Sequence, residues 1–451
     1  MPTLSVFLDV PFAPKTTSKL LDDFQQDEDP NKVCLGYGVC MTGEKIPWLS
    51  PVVIRTLRRL IHDPSFNYSY LPEHGLEAFI RVATELLVGR HSPAIVENRI
   101  GGVHTIGGNG AILLGAKFLK DWHRGPRVVY LQQSQREQYG LIFQELGFSL
   151  REYTFWDSYR LVSDTGKLFD IVEHAPDRSI LLLYNFGSFL LPRKRWYKLS
   201  KLLKRKQIFL FCDIPDQGFV SGDPDQDNKI LRYFVTQGFE FFCSQSLSNS
   251  FGLHDERVGN LVVVAVSNKS LLCIRSQLDI YTRYMWGSPP ALGSRVITTI
   301  LSNPALRMEW KKSLRGMVES IMLTREKVKE KLRLLRTPGS WEHLTGQDGM
   351  YGFLGITVEQ LDYLVTKKHI YIPMNGLINF TCINSQNIDY ITQSINEAVL
   401  AIGPGPQPKE PPKVLVIPNN SDPKNLDHMT SETKSLGAKA SPLPAYLHSK
   451  K

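Results

Sequence analysis

The chain has no CxxC pair, and none of its six cysteines (34, 40, 212, 243, 273, 382) joins a histidine at zinc-site spacing. That argues against a structural zinc module and against a dithiol redox motif. Cys212 and Cys243 lie in apolar runs, where free thiols pack as small hydrophobes, so reduced cysteines in a reducing compartment are expected. No apolar run reaches the roughly 20 residues that a bilayer-crossing helix needs. The N-terminus, MPTLSVFLDVPFAP, lacks a basic segment followed by a long apolar one, which sets it apart from a secretory signal. Charge of one sign is also scarce: 53 basic against 44 acidic residues give +9, too diffuse to argue for nucleic acid. The densest basic cluster, RKRWYKLSKLLKRK (193–206), alternates with Trp196, Leu199, Leu202 and Leu203 and reads as the solvated face of an amphipathic helix. The expectation is a soluble cytoplasmic protein with neither nucleic acid nor membrane as partner.

What is present is an ordinary globular composition, 42% hydrophobic and 22% charged, over 451 residues, enough for two or three domains. Apolar runs recur with helical segments between them: VVYL (128–131), ILLLY (180–184), IFLFC (208–212), FEFFC (239–243) and LVVVAV (261–266). Continuous apolar strands separated by helices predict an α/β fold with a largely parallel sheet covered on both faces. In such sheets ligands bind at the carboxyl ends of strands, and Asp213 stands at one such end. It could cap a helix instead, but its convergence with the next strand end favours a contact. Earlier, VHTIGGNGAILLGAKFLKDW (103–122) runs from an extended segment through glycines into an apolar helix. It suits either an anion at the helix N-terminus or a tight turn with no ligand.

The stretch FEFFCSQSLSNSFGLHDERVGN (239–260) carries the densest chemistry. A strand-like run feeds Ser244, Ser246, Ser248 and Ser250, then Gly252 and Arg257. Hydroxyls and a guanidinium at the end of a buried strand suit an anionic group such as phosphate. Asn249 sits in their midst.

The organisation expected is an arm and part of a small domain over 1–49, a large α/β domain over 50–310, a small C-terminal domain over 311–402, and a disordered tail over 403–451. The tail holds nine of the 28 prolines, and seven lysines against four acids, with no sustained periodicity.

Collinear segments then tie the chain to one family. LGYG (35–38), YLPEHGL (70–76), GGNGA (107–111), CDIPDQGF (212–219), GFEFFCSQS (238–246), FGLHDERVGNL (251–261), WGSPPALG (286–293), KHIYI (368–372) and GLIN (376–379) resemble the aspartate aminotransferases. These are class I pyridoxal-phosphate-dependent enzymes that exchange aspartate and 2-oxoglutarate for oxaloacetate and glutamate. The resemblance runs from about Ser5 to Ile402. It implies fold type I, a mostly parallel central sheet with helices on both faces plus a smaller α/β domain, and a homodimer acting on dicarboxylic amino or keto acids.

The resemblance also assigns positions. Asp213 matches the aspartate that pairs with the pyridine nitrogen. Ser246 and Arg257 match phosphate anchors, Gly108 the backbone of the phosphate loop, and Asn109 a threonine beside it. Gly38 falls on the substrate side. Tyr70 and Arg283 match residues given across the dimer, to the cofactor phosphate and to the distal substrate carboxylate. Four positions depart. The lysine that forms the Schiff base is Asn249, whose amide nitrogen has its lone pair delocalised and is neither nucleophile nor base. The tyrosine facing the ring oxygen is Asp216, the stacking tryptophan is Arg136, and the arginine for the α-carboxylate is Leu377. A shorter GSFLLPRK (187–194) replaces the expected asparagine-proline-threonine-glycine loop. The implied reading is a catalytically degenerate aminotransferase, a pseudoenzyme that holds pyridoxal phosphate at most non-covalently. The alternatives are aspartate-related activity by a non-standard route, and a non-catalytic partner in a heterodimer with an active paralogue.

Overall fold

Successive residues of a strand point to opposite faces, and in the centre of this protein both directions lead into core. The computed structural model describes residues 10–11, 18–44, 46–185 and 193–403. In it Leu181, Leu183, Leu210, Cys212, Phe241 and Cys243 pack on one side of the sheet. Ile180, Leu182, Phe211, Phe242, Leu261 and Val263 pack on the other. This two-sided burial is why the strands read as unbroken apolar runs.

The sheet has seven strands: β1 (Ile100–Ile106), β2 (Val128–Gln132), β3 (Ser149–Tyr153), β4 (Ile180–Tyr184), β5 (Phe209–Ile214), β6 (Phe241–Ser246) and β7 (Val258–Val264). Their order is β1-β7-β6-β5-β4-β2-β3. β7 runs antiparallel to β1 and β6, and the remaining pairs are parallel. The expected mostly parallel α/β sheet is therefore present, with one reversed strand. Two details differ from the sequence reading. β3, at the edge, was not marked by its residues, because SLREY is polar and mostly exposed. β6 continues through Ser246, so the first two serines are strand residues and not loop.

Register sets the functional edge. Tyr184 faces Asp213, Asp213 faces Ser244, and Ser246 faces Gly259 across neighbouring strands. Val258 pairs with Ile106, which places Arg257 beside the start of the helix Gly107–Trp122. Two glycines make the close turns here. Gly107 has φ 64, and an added Cβ would stand 3.2 Å from the Arg257 guanidinium. Gly252 has φ 73, ends the short helix Ser248–Phe251, and would meet the Trp48 carbonyl at 2.3 Å if it bore a Cβ.

A third core joins Trp48, Phe219 and Phe251 to the 31-residue helix Pro304–Leu334 and to the last helix, Ile388–Ile402. Asn303 caps the long helix by accepting from the Ala305 and Leu306 N–H groups at 2.9 and 3.2 Å. Two short pairs follow: Tyr351–Phe353 with Leu377–Asn379, and the early Val33–Cys34 with the late Ile370–Tyr371. The proposed tail beyond 403 and the residues 187–192 of the shortened loop lie outside the described residues.

Candidate functional site

The carboxyl edges of β5 and β6, the start of the helix Gly107–Trp122 and the turn after β6 converge on one cleft. Asp213, the next-to-last residue of β5, is fully buried. Its Oδ2 accepts from the Tyr139 hydroxyl at 2.7 Å, while Oδ1 has no partner among the described residues. Burial pushes its carboxyl up to about 6, against the pull of the Tyr139 bond.

The four serines separate by what they bond. Ser244 Oγ donates to the Gly108 carbonyl at 3.3 Å, and Ser250 Oγ to the Gln217 carbonyl at 2.7 Å. Ser248 Oγ accepts from the Val258 N–H at 3.2 Å. Ser246 alone has a hydroxyl with no partner among the described residues. It lies 3.4 Å, at its Cβ, from where a side chain on Gly108 would begin. Gly108 and Asn109 open the helix, so their N–H groups have no intrahelical partner. The Asn109 Oδ1 accepts from Gln138 Nε2 at 3.0 Å. Arg257 has φ 49, its carbonyl accepts from the Gly107 N–H at 2.5 Å, and no ion pair among the described residues engages its exposed guanidinium. An unengaged hydroxyl, an unpaired guanidinium and a glycine-lined helix start form an anion cradle.

The other side of the cleft is built differently. Asn249 lies in the turn after β6, and its Nδ2 donates to Asp216 Oδ1 at 2.5 Å. The two departures are thus bonded to each other. Burial raises the Asp216 carboxyl to about 6, and the Asn249 bond opposes the rise. The turn is held from behind: Phe251 stacks on Trp310 at 4.4 Å, and the Trp310 indole donates to the Ser250 carbonyl at 2.8 Å. Asp216 and Leu377 line one cavity of about 140 Å³, together with Tyr184, Trp156, Tyr351 and Phe353. Gly38 is tied to the strand of Leu377, because Asn379 Nδ2 donates to the carbonyls of Tyr37 and Val39 at 2.9 and 2.8 Å.

Three positions lie apart. Arg136 pairs with Glu152 on the surface. Arg283 pairs with Glu73 at 2.9 Å, and Tyr70 is 96% exposed. None of the three lines the cavity. Sequence reasoning missed Tyr139, which orients Asp213, and the aromatic cavity wall, since aromatics in helices and strands carry no signal beyond core. It also missed the buried amides behind the site: Gln245 Nε2 donates to Gln217 Oε1 at 2.9 Å and to the Ala83 carbonyl at 3.0 Å.

The arrangement can be set beside known proteins. The chain is 56% identical over 400 residues to the Homo sapiens protein named "Putative aspartate aminotransferase, cytoplasmic 2", covering 89% of this chain and 95% of that one. It is 39% identical over 409 residues to the Gallus gallus "Aspartate aminotransferase, cytoplasmic", covering 88% and 99%. The aromatic-amino-acid aminotransferase of Burkholderia pseudomallei, a crystal structure covalently bound to pyridoxal phosphate, superposes with a TM-score of 0.83 at 26% identity, covering 88% of this chain and all of that one. The family model "Aminotransferase class I and II" matches residues 30–395, and the chain belongs to that pyridoxal-phosphate-dependent family.

Proposed function

We propose that this protein is an aspartate-aminotransferase-like pseudoenzyme that holds pyridoxal phosphate without a covalent link and does not carry out lysine-dependent transamination. The observation that carries the reading is the Asn249–Asp216 bond at 2.5 Å, an amide and a carboxyl where the family resemblance calls for a lysine and a tyrosine. The residues present fit the cofactor as a bound group. The unpartnered Asp213 Oδ1 suits a protonated ring nitrogen, and Ser246, Arg257 and the backbone of Gly108 and Asn109 suit its phosphate. When bound, the cofactor supplies an electron sink. What the chain withholds is the amine that moves the proton at the substrate Cα, because the Asn249 nitrogen is a hydrogen-bond donor only. Leu377 likewise offers no donor to an α-carboxylate.

The test is a titration of the purified chain with pyridoxal phosphate followed by borohydride. Saturable binding with no protein-bound adduct is expected, and a stoichiometric adduct on the chain overturns the reading. Turnover of aspartate with 2-oxoglutarate that disappears in Asn249→Ala would instead support activity by a non-standard route.

A second reading concerns assembly. Tyr70 and Arg283 are exposed, and neither lines the chain's own cavity, as suits residues offered to a neighbouring subunit. A homodimer follows, or a heterodimer in which an active paralogue supplies the lysine. Affinity capture after co-expression decides, and recovery of monomers alone removes both. We further propose that the chain works in the cytoplasm and divides into a large domain over 50–310 and a small one over 311–402. Fractionation that places it in an organelle contradicts the first, and hydrogen exchange in which 50–310 and 311–402 open as a single cooperative unit contradicts the second.

A further inference from the structure

Four side chains at the cleft are joined in one hydrogen-bonded line. Asp213 Oδ2 accepts from the Tyr139 hydroxyl at 2.7 Å. That hydroxyl accepts in turn from Gln138 Nε2 at 3.1 Å, and the same Nε2 donates to Asn109 Oδ1 at 3.0 Å. The two hydrogens of the Gln138 amide thus serve one direction each. The line starts in the core, where Asp213 is fully buried and Tyr139 is 1% exposed, and ends at Asn109 on the surface. Gln138 and Tyr139 share the first turn of the helix Arg136–Glu145, and successive helical residues point about 100° apart. One therefore enters the core while the other reaches across to the helix Gly107–Trp122.

Direction matters here, because an amide side chain has a donor end and an acceptor end. With Oδ1 held by Gln138, Asn109 keeps its Nδ2 group to offer, and that group has no partner among the described residues. Asn109 stands at a helix start whose first N–H groups also lack intrahelical partners. The same amide turned the other way would set an oxygen against any anion bound there. At the far end the Tyr139 bond occupies Asp213 Oδ2 and leaves Oδ1 without a partner among the described residues.

We infer that Gln138 is a positioning residue that turns the Asn109 amide donor-outward for a phosphate at the helix start and, through Tyr139, holds Asp213 for a ring nitrogen. This rests on the preceding reading in one respect, that the cleft takes pyridoxal phosphate. One side chain thereby serves both contacts. A glutamine that only fills space between two helices could be replaced by methionine at no cost to binding, whereas one that sets the direction of an amide could not. Gln138→Glu reverses the line: its carboxylate accepts from Asn109 Nδ2 and from the Tyr139 hydroxyl, so Asn109 turns its oxygen outward and Asp213 loses its donor.

The experiment is calorimetric titration of the full chain with pyridoxal phosphate and with pyridoxal, which lacks the phosphate. Gln138→Met should shrink the advantage of pyridoxal phosphate over pyridoxal about tenfold, and Gln138→Glu about 100-fold. Gln138 is exposed, so neither substitution opens a core cavity. In an Asn109→Ala background, adding Gln138→Met should leave that advantage unchanged, since no amide remains to be turned. Tyr139→Phe, which cuts the line on the Asp213 side, should weaken both ligands alike. A Gln138→Met protein with the full phosphate advantage, or an equal loss with and without the Asn109 side chain, overturns the inference. A borohydride-fixed adduct overturns the preceding reading and leaves this one to the same affinities. If the parent binds no pyridoxal phosphate the preceding reading falls, and inorganic phosphate becomes the probe. Phosphate binding that Gln138→Glu abolishes then supports the inference, and binding that survives it, or none in the parent, overturns it.

Discussion

Two halves of one cleft carry opposite chemistry. At the end that the resemblance assigns to a phosphate, Ser246 and Arg257 stand unengaged among the described residues around a glycine-lined helix start, and Asp213 keeps one oxygen open in the core. At the end that the resemblance assigns to the substrate, Asn249 bonds Asp216, and Leu377 stands where the resemblance sets an arginine. A site that has merely decayed would be expected to lose contacts at both ends alike. Here one end still offers donors to an anion while the other has become acidic and aromatic. The two ends rest on different residues, so anion binding at one and chemistry at the other can be varied separately.

The largest effect should come from returning the amine. Asn249→Lys combined with Asp216→Tyr is expected to give a stoichiometric borohydride-fixed adduct with pyridoxal phosphate, against none in the parent. Asn249→Lys alone should form it at least about tenfold more slowly at pH 7, because the Asp216 carboxylate holds the new ammonium protonated and each unit of raised pKa costs tenfold in free amine. Equal rates for the single and double variants would show that Asp216 does not oppose the chemistry.

Next comes the phosphate end. Arg257→Ala should weaken pyridoxal phosphate binding about 100-fold, as expected for loss of charge-assisted hydrogen bonds, and Ser246→Ala about tenfold. Tryptophan fluorescence quenching measures both. Because the Arg257 side chain has no ion pair among the described residues, its melting temperature without cofactor should stay unchanged. A melting loss with intact affinity would assign Arg257 to the fold instead.

A smaller effect follows from the buried carboxyls. Asp213 and Asp216 are each raised from 3.8 to about 6. The native state therefore binds their protons more tightly than the unfolded chain does. The stability linked to those protons is fully present below about pH 4 and is lost as pH rises through about 6. Asp213→Asn, in which the amide oxygen can still accept from Tyr139, should stabilise the cofactor-free protein at pH 8 by about 2–3 kcal/mol at most, and the gain should vanish near pH 4. A gain that does not vary with pH would remove ionisation as its cause.

How much of this was legible beforehand follows from which interactions are local. The core strands of the sheet were readable because both faces are buried, which makes each an apolar run regardless of its neighbours. The reversal of β7 was not readable, since a two-sided apolar strand looks the same in either direction. β3 escaped because it is a polar edge strand. Asn249, Asp216 and Leu377 stood out against the family resemblance one at a time, each as a loss. Their joint result, a hydrogen-bonded pair beside an acidic aromatic cavity, depends on residues brought together from β4, the turn after β5, the Asn249 turn and the strand Leu377–Asn379. Tyr139 and Arg325 gave no advance signal, because a tyrosine or arginine within a helix reads as core or as solvated face until its partners are known.

The long helix Pro304–Leu334 is anchored at two points. Trp310 grips the turn that bears Asn249, and Arg325, fifteen residues later and about 22 Å along the axis, grips the cavity wall from Leu344 to Tyr351. The helix is a strut shared by both halves of the cleft, so the two grips cannot loosen independently. Trp310→Ala should raise amide hydrogen exchange at residues 344–351 as well as at 248–252. If exchange rises at the turn alone, the strut does not transmit. If both rise, the cleft keeps its shape by tension between two anchors on one beam, and that stiffness is independent of the chemistry done in the cleft.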